Sequence, residues 1–260
     1  MDAIKEFEYP MLNQTIDVSK DFVRQENNYF IATKMLDFDC NLKRGFLECK
    51  RYARKIRMCF NHMSIPFEET QPWEYPPKYD KDMKLPFSVS FVTPRIFRIQ
   101  LSARKQIIEE KSSIMLSSEP KTDETWKSYK SDNSTIYSNS FGSIEIKYDL
   151  FNIVIRDANG RLLTNTQNIM DTKNLENSEP TLFSILRCSS DMKRRIAASF
   201  SLSPDEKIFG GRESFTRINK RDQKIVLYTT DVFGVQTQKM YKPIPFFISS
   251  KDYGMFVHTS

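Results

Sequence analysis

The stretch Ser143-Ile144-Glu145-Ile146-Lys147-Tyr148-Asp149-Leu150 sets apolar against polar side chains over eight residues. Successive side chains of an extended chain point to opposite faces. Ile144, Ile146, Tyr148 and Leu150 therefore share one face of a sheet, and Ser143, Glu145, Lys147 and Asp149 share the other. The pattern predicts that the strand runs on through Phe151, Ile153 and Ile155 to Asp157-Ala158-Asn159-Gly160. There Asn-Gly can supply the positive φ angles of a tight hairpin turn, with Arg161 to Thr164 returning.

Working outward, Phe87, Val89 and Phe91 alternate with Ser88 and Ser90. After Thr93-Pro94, Phe97, Ile99 and Leu101 oppose Arg98 and Gln100. Downstream, Ile196, Ala198, Phe200 and Leu202 fall on one side of a further segment, followed by strands at Ile225 to Thr229, Phe246 to Ser249 and Tyr253 to Val257. About nine to twelve short strands with turn signals between them, and no sustained helical period after residue 60, predict an all-β protein. The expected architecture is an antiparallel two-sheet β-sandwich with few short helices. Cys49, Tyr52, Ala53 and Ile56 have helical spacing, yet the same segment alternates well enough for a basic strand, and both readings stand. Residues 111–140 and 165–181 read as long polar loops, and Pro66 to Pro86 as an irregular crossing. Residues 85–260 form the sandwich core in this reading, and residues 1–84 add strands and irregular segments to it.

Composition narrows the function. With 260 residues, 39% of them hydrophobic, the chain has material for a sizeable core. The first thirty residues lack a basic start followed by an apolar run, and no stretch approaches the ~20 apolar residues of a membrane span. A soluble protein kept in the compartment where it is made, the cytoplasm, is the expectation. Cys40, Cys49, Cys59 and Cys188 fit neither a CxxC knuckle nor a disulfide framework and read as reduced thiols. Two histidines, His62 and His258, leave no basis for a histidine metal site, and no cofactor or metal is expected. The charge of +6 is densest at Lys43, Arg44, Lys50, Arg51, Arg54, Lys55 and Arg57. The 33 acidic residues spread through the chain favour a solvated basic face over nucleic-acid binding.

The last sixty residues carry a more specific signal. In order they read Asp205-Glu206, Phe209-Gly210-Gly211-Arg212-Glu213-Ser214-Phe215, Asn219 to Gln223, Val226-Leu227-Tyr228-Thr229-Thr230-Asp231, Met240-Tyr241-Lys242-Pro243-Ile244-Pro245-Phe246-Phe247, and Asp252-Tyr253-Gly254-Met255-Phe256-Val257. On residue chemistry alone, Gly210 and Gly211 allow a tight connection before Glu213, whose carboxylate can pin the turn. Pro243 and Pro245 belong at a strand start or edge, where missing ladder donors cost least. Tyr253-Gly254 leaves room beside a ring for another backbone, and Phe246, Phe256 and Val257 read as core. Asp231 stands at a strand end, where a carboxylate can accept hydrogen bonds from sugar hydroxyls or cap a turn.

This succession resembles the N-terminal, galactose mutarotase-like domain of glycoside hydrolase family 31, the α-glucosidases and α-xylosidases. The family shows a Gly-x-Gly-Glu turn, a Gly-Gln hairpin, a strand ending in Asp, a Tyr-Lys-x-x-Pro-Phe strand and a Tyr-Gly-Val-Phe strand. Thr93-Pro94-Arg95-Ile96-Phe97-Arg98 and the hairpin of Phe151 to Gly160 agree with it. Arg212, Asp222, Asp252 and Tyr228 depart from it, the first three standing where the family has glycine and Tyr228 where Trp is common. Aspartate tolerates left-handed backbone better than most residues.

The resemblance implies that the loop after Asp231 helps line a substrate site, with Asp231 contacting substrate and Phe233 and Tyr241 weaker candidates for stacking on a sugar. It also implies a (β/α)₈ barrel as partner, supplying two carboxylates about 5 Å apart for retaining hydrolysis of an α-glucoside or α-xyloside. No segment up to Ser260 reads as repeated strand and helix units, so the chain is expected to hold no catalytic residue and to be inert alone. The face resting on the barrel should then be apolar. The competing expectation is a stand-alone carbohydrate-binding sandwich whose platform would use Trp73 and Trp126.

Overall fold

A computed structural model describes residues 28–52, 83–102, 106–107, 122–166, 183–187, 194–212, 216–223, 225, 227 and 243–258. Every regular element among them is a strand: β1 Asn28–Asp39, β2 Arg44–Tyr52, β3 Met83–Thr93, β4 Ile96–Leu101, β5 Lys127–Lys130, β6 Ser134–Asn139, β7 Gly142–Lys147, β8 Asn152–Asp157, β9 Leu162–Asn165, β10 Ser184–Arg187, β11 Arg194–Ala197, β12 Ile208–Arg212, β13 Pro243–Ser249 and β14 Gly254–Phe256. The described residues divide into two compact units, one up to Ser201 and the other from Leu202 onward.

The larger unit is a β-sandwich. One sheet has the order β11-β10-β1-β2-β3-β4 and the other β5-β6-β7-β8-β9, with every pairing antiparallel. Alternation fills the space between them as the sequence predicts. Leu85, Phe87, Val89 and Phe91 of β3 and Ile144 and Ile146 of β7 belong to one buried cluster with Phe30, Leu47, Tyr137, Phe151 and Ile153. Phe87 meets the edge of Phe151 at 5.7 Å between centroids, joining the two sheets. Phe97, Ile99 and Leu101 of β4 pack against the same cluster, as their alternation requires.

Four local readings are corrected. The strand begun at Ser143 does not run on to Ile155. It ends at Lys147, and Tyr148 to Phe151 turn so that β7 and β8 pair with Lys147 opposite Asn152. Two backbone hydrogen bonds to β1 stitch this turn, Met35 N–H to Tyr148 O at 2.9 Å and Phe151 N–H to Thr33 O at 2.8 Å. Leu150 is consequently exposed, at a φ of 54°. Secondly, the supposed polar loop of residues 111–140 contains β5 and β6. Its core-facing side chains are Thr135 and Tyr137, both buried, and their hydroxyls disguise the alternation. Tyr137 donates to Cys40 O at 2.8 Å and Thr135 bonds the Tyr148 hydroxyl, so burial leaves neither unsatisfied.

Thirdly, β11 stops at Ala197, and Ile196 and Leu202 are exposed rather than inward. Phe200 alone of that set reaches the core, edge-on to Phe183 at 6.1 Å and bridged to Thr166. Fourthly, of the Asn159-Gly160 pair only Gly160 takes a left-handed φ, 78°. A register shift between Ile155 and Arg156 makes this a bulged turn rather than a two-residue one. Asp157 closes it, accepting from Asn159 N–H and Arg161 N–H at 2.9 Å each and pairing with the Arg161 guanidinium. Those amide donors and the Arg161 charge outweigh desolvation and hold its carboxyl below the usual range. Cys49 and Tyr52 lie in β2, whereas Ala53 and Ile56 fall outside the described residues.

Candidate functional site

The smaller unit carries the motif-bearing segments. Its sheet has the order β12-β13-β14, antiparallel throughout. Pro243 opens β13, and Pro245, whose carbonyl accepts from Val257 N–H at 2.8 Å, lies one residue past the β13–β14 ladder, so its missing donor falls at the ladder's end. Gly210 and Gly211 have φ of 104° and 84°. A Cβ on Gly210 would come within 2.4 Å of Phe246 O, so the chain at this point must be glycine to pass β13.

Two of the departures from the family pattern are absorbed by the backbone. Asp222 and Asp252 take φ of 60° and 65°, left-handed positions where the family has glycine. Asp252 sits in the β13–β14 connection, where its N–H reaches Ser249 O at 3.2 Å and Ser249 N–H reaches Tyr253 O at 2.8 Å. Arg212 lies at the end of β12. The space at Gly254 is used by both a ring and a backbone: a Cβ there would lie 2.8 Å from Phe246 Cζ and 3.5 Å from Phe247 O.

Glu206, which the sequence does not single out, is the buried acid among the described residues of this unit, at 1% exposure. Its Oε1 accepts from Ser249 Oγ at 2.5 Å and Tyr253 OH at 2.6 Å, and its Oε2 accepts from Ser203 N–H at 2.8 Å. Burial pushes its pKa up, but the Ser249 and Tyr253 hydroxyls, the Ser203 amide and the Lys251 charge outweigh it and hold the carboxyl below the ordinary glutamate value. A carboxylate so engaged is an anchor rather than a proton donor. Its partners lie 43 and 47 residues away, which no local pattern reveals.

Phe246, Phe256 and Val257 are not core. They are 41%, 58% and 42% exposed, and Ile244 and Ile248 join them on the surface. Phe246 pairs with Phe256 across β13 and β14, so Ile244, Phe246, Ile248 and Phe256 form one apolar face. β13 is apolar on both sides until Ser249, and alternation cannot say which side is covered.

Asp231, Phe233, Tyr241 and Glu213 lie outside the described residues, as does Trp73. Trp126 is engaged within the sandwich: its ring stacks on Phe91 at 4.6 Å and its indole N–H donates to Thr93 O at 3.2 Å. In the basic cluster, Lys43 Nζ lies 5.8 Å over the Phe91 ring, while Arg54, Lys55 and Arg57 lie outside the described residues. Among the described residues no group of three His, Cys, Asp or Glu could hold a metal, Cys40 and Cys49 are free thiols, and no helix is long and apolar enough to cross a membrane.

A family model described as the glycosyl hydrolase 31 N-terminal galactose mutarotase-like domain matches residues 86–260. The α-xylosidase XylQ of Lactiplantibacillus pentosus is 43% identical over 60 residues, which are 23% of this chain and 8% of that protein. Among solved structures, a cycloalternan-forming enzyme from Listeria monocytogenes in complex with a pentasaccharide substrate aligns over 90% of this chain and 18% of its own, with a TM-score of 0.56 at 18% identity. A family 31 dextranase of Flavobacterium johnsoniae complexed with glucose aligns over 87% of this chain and 22% of its own, with a TM-score of 0.51 at 17% identity. The chain thus spans less than a quarter of the length of these relatives, and the structural likeness speaks for the fold. With the family's sequence pattern matched over two-thirds of the molecule, this chain belongs to the glycosyl hydrolase 31 N-terminal galactose mutarotase-like domain family.

Proposed function

We propose that the chain acts as the N-terminal accessory domain of a retaining α-glycosidase of the α-glucosidase or α-xylosidase type, shaping the substrate site of a (β/α)₈ barrel and doing no chemistry itself. The observation that carries the reading is the family match over residues 86–260. The exposed face of Ile244, Phe246, Ile248 and Phe256 supports it, because a strand apolar on both sides calls for a protein layer on each. The barrel is the occupant we assign to that face. Within this reading Asp231 contacts substrate, and Phe233 and Tyr241 are stacking candidates. The engagement of Trp126 with Phe91 and Thr93 O removes one of the two aromatic residues that a stand-alone sugar platform would use.

The isolated chain should give no turnover of an aryl α-glucoside or α-xyloside, and no heat on titration with gluco- or xylo-oligosaccharides. Turnover by uncontaminated protein would overturn the accessory role, and saturable heat without turnover would favour an autonomous binding module. The apolar face makes a separate demand. The isolated chain should associate with rising concentration through this face in analytical ultracentrifugation, and Ile248→Lys with Phe256→Lys should abolish that association while leaving the far-ultraviolet circular dichroism unchanged. Association that survives both lysines would place the adhesive surface elsewhere.

A further inference from the structure

Glu206 holds together more than its own turn. Its carboxylate ties Ser203, at the start of the 203–206 turn, to Ser249 at the end of β13 and Tyr253 at the threshold of β14. Lys251, in the connection between those strands, donates through Nζ to Ser203 Oγ. The Arg221 guanidinium donates to Ser203 O at 2.6 Å and Glu206 O at 2.9 Å, adding the 216–223 segment to the same knot. Three segments therefore meet at this turn, two of them on the buried carboxylate itself.

The charged groups around it are unequal. Lys251 from the hairpin and Arg221 from the 216–223 segment face the knot, with the buried Lys220 beside Arg221 and bonded to Thr216 Oγ1 at 2.6 Å. Asp205 and Lys207 of its own turn, and Asp252 and Asp222 of the facing segments, are exposed. The larger unit is built otherwise: among the described residues its buried polar side chains are Ser88, Ser134, Thr135, Thr164 and Thr166, hydroxyls that do not titrate in acid.

We propose that Glu206 is an acid-released latch: charged, it clamps the β13–β14 hairpin onto the 203–206 turn, and protonated it frees that hairpin while the sandwich stays closed. The inference is independent of the accessory role, since it needs only this chain. The sign follows from linkage. A carboxyl held below its ordinary value stabilises the closed form fully above about pH 4.3, and that contribution is lost as pH falls through the folded-state value. For one proton the opening constant grows by up to about tenfold per pH unit in that window. Protonation turns the charge-assisted bonds from Ser249, Tyr253 and Ser203 into neutral ones, about half as strong, and removes the attraction to the Lys251 charge.

Amide exchange on the full 260-residue chain between pH 3 and 7, corrected for intrinsic rates, tests this. Peptides covering 243–258 should lose protection by up to about tenfold per pH unit below about pH 4.3, while peptides covering 134–147 keep theirs. In Glu206→Gln the hairpin should already be roughly tenfold less protected at pH 7, with the acid step gone. Should that variant fail to fold, Tyr253→Phe removes a single donor, moves the carboxyl toward its ordinary value and should shrink the step. Simultaneous loss in both regions, an acid step that survives Glu206→Gln, or an undiminished step in Tyr253→Phe each overturns the latch.

Discussion

Replacing Phe87 by alanine is expected to cost about 3–5 kcal/mol and to unfold the sandwich in a single transition. The ring is fully buried on β3, edge-on to Phe151 of the opposite sheet and tilted against Phe38 at 6.4 Å. Truncation removes contacts to both sheets at once and leaves a cavity that strands paired on either side cannot collapse to fill. Denaturant unfolding followed by circular dichroism measures it. A loss below about 1 kcal/mol would mean that the two sheets do not share this core.

Gly210→Ala is the second large effect and should be local. An alanine at a φ of 104° costs roughly 1–3 kcal/mol in backbone strain alone. Its Cβ would also stand 2.4 Å from Phe246 O, a backbone atom that cannot yield without breaking the β12–β13 register. Amide exchange in 243–258 should accelerate by tenfold or more, while the peptides of β6 to β8 stay protected. Unchanged exchange would show that β12 reaches β13 by another path. The contrast between the two variants separates a shared core from a single close approach.

The sandwich was legible wherever the inward positions are hydrocarbon. Ile144 and Ile146, or Phe87, Val89 and Phe91, announce their face through period two, and the structure buries each of them. β6 escaped because its inward residues are Thr135 and Tyr137, whose hydroxyls find partners at Tyr148 and Cys40 O that a linear reading cannot supply. The tolerance of aspartate for left-handed backbone foretold how Asp222 and Asp252 would replace glycine. Glu206 escaped for the opposite reason: Asp205-Glu206 looks like any surface turn, and only the return of the chain at Ser249 and Tyr253 makes it an interior group. The exposure of Phe246 and Phe256 was invisible because hydrophobicity reports a need for cover, not its presence.

The prolines of β13 have an effect on the company this strand can keep. Ile244 to Ile248 is a short window of high strand propensity without charge, the composition that recruits identical segments from other molecules into stacked fibrils. Pro243 and Pro245 withhold two amide donors from any such stack, yet the native sheet loses little, because Pro243 opens the strand and Pro245 lies just past the end of the β13–β14 ladder. The surface that invites a partner is thereby guarded against its own copies growing along it.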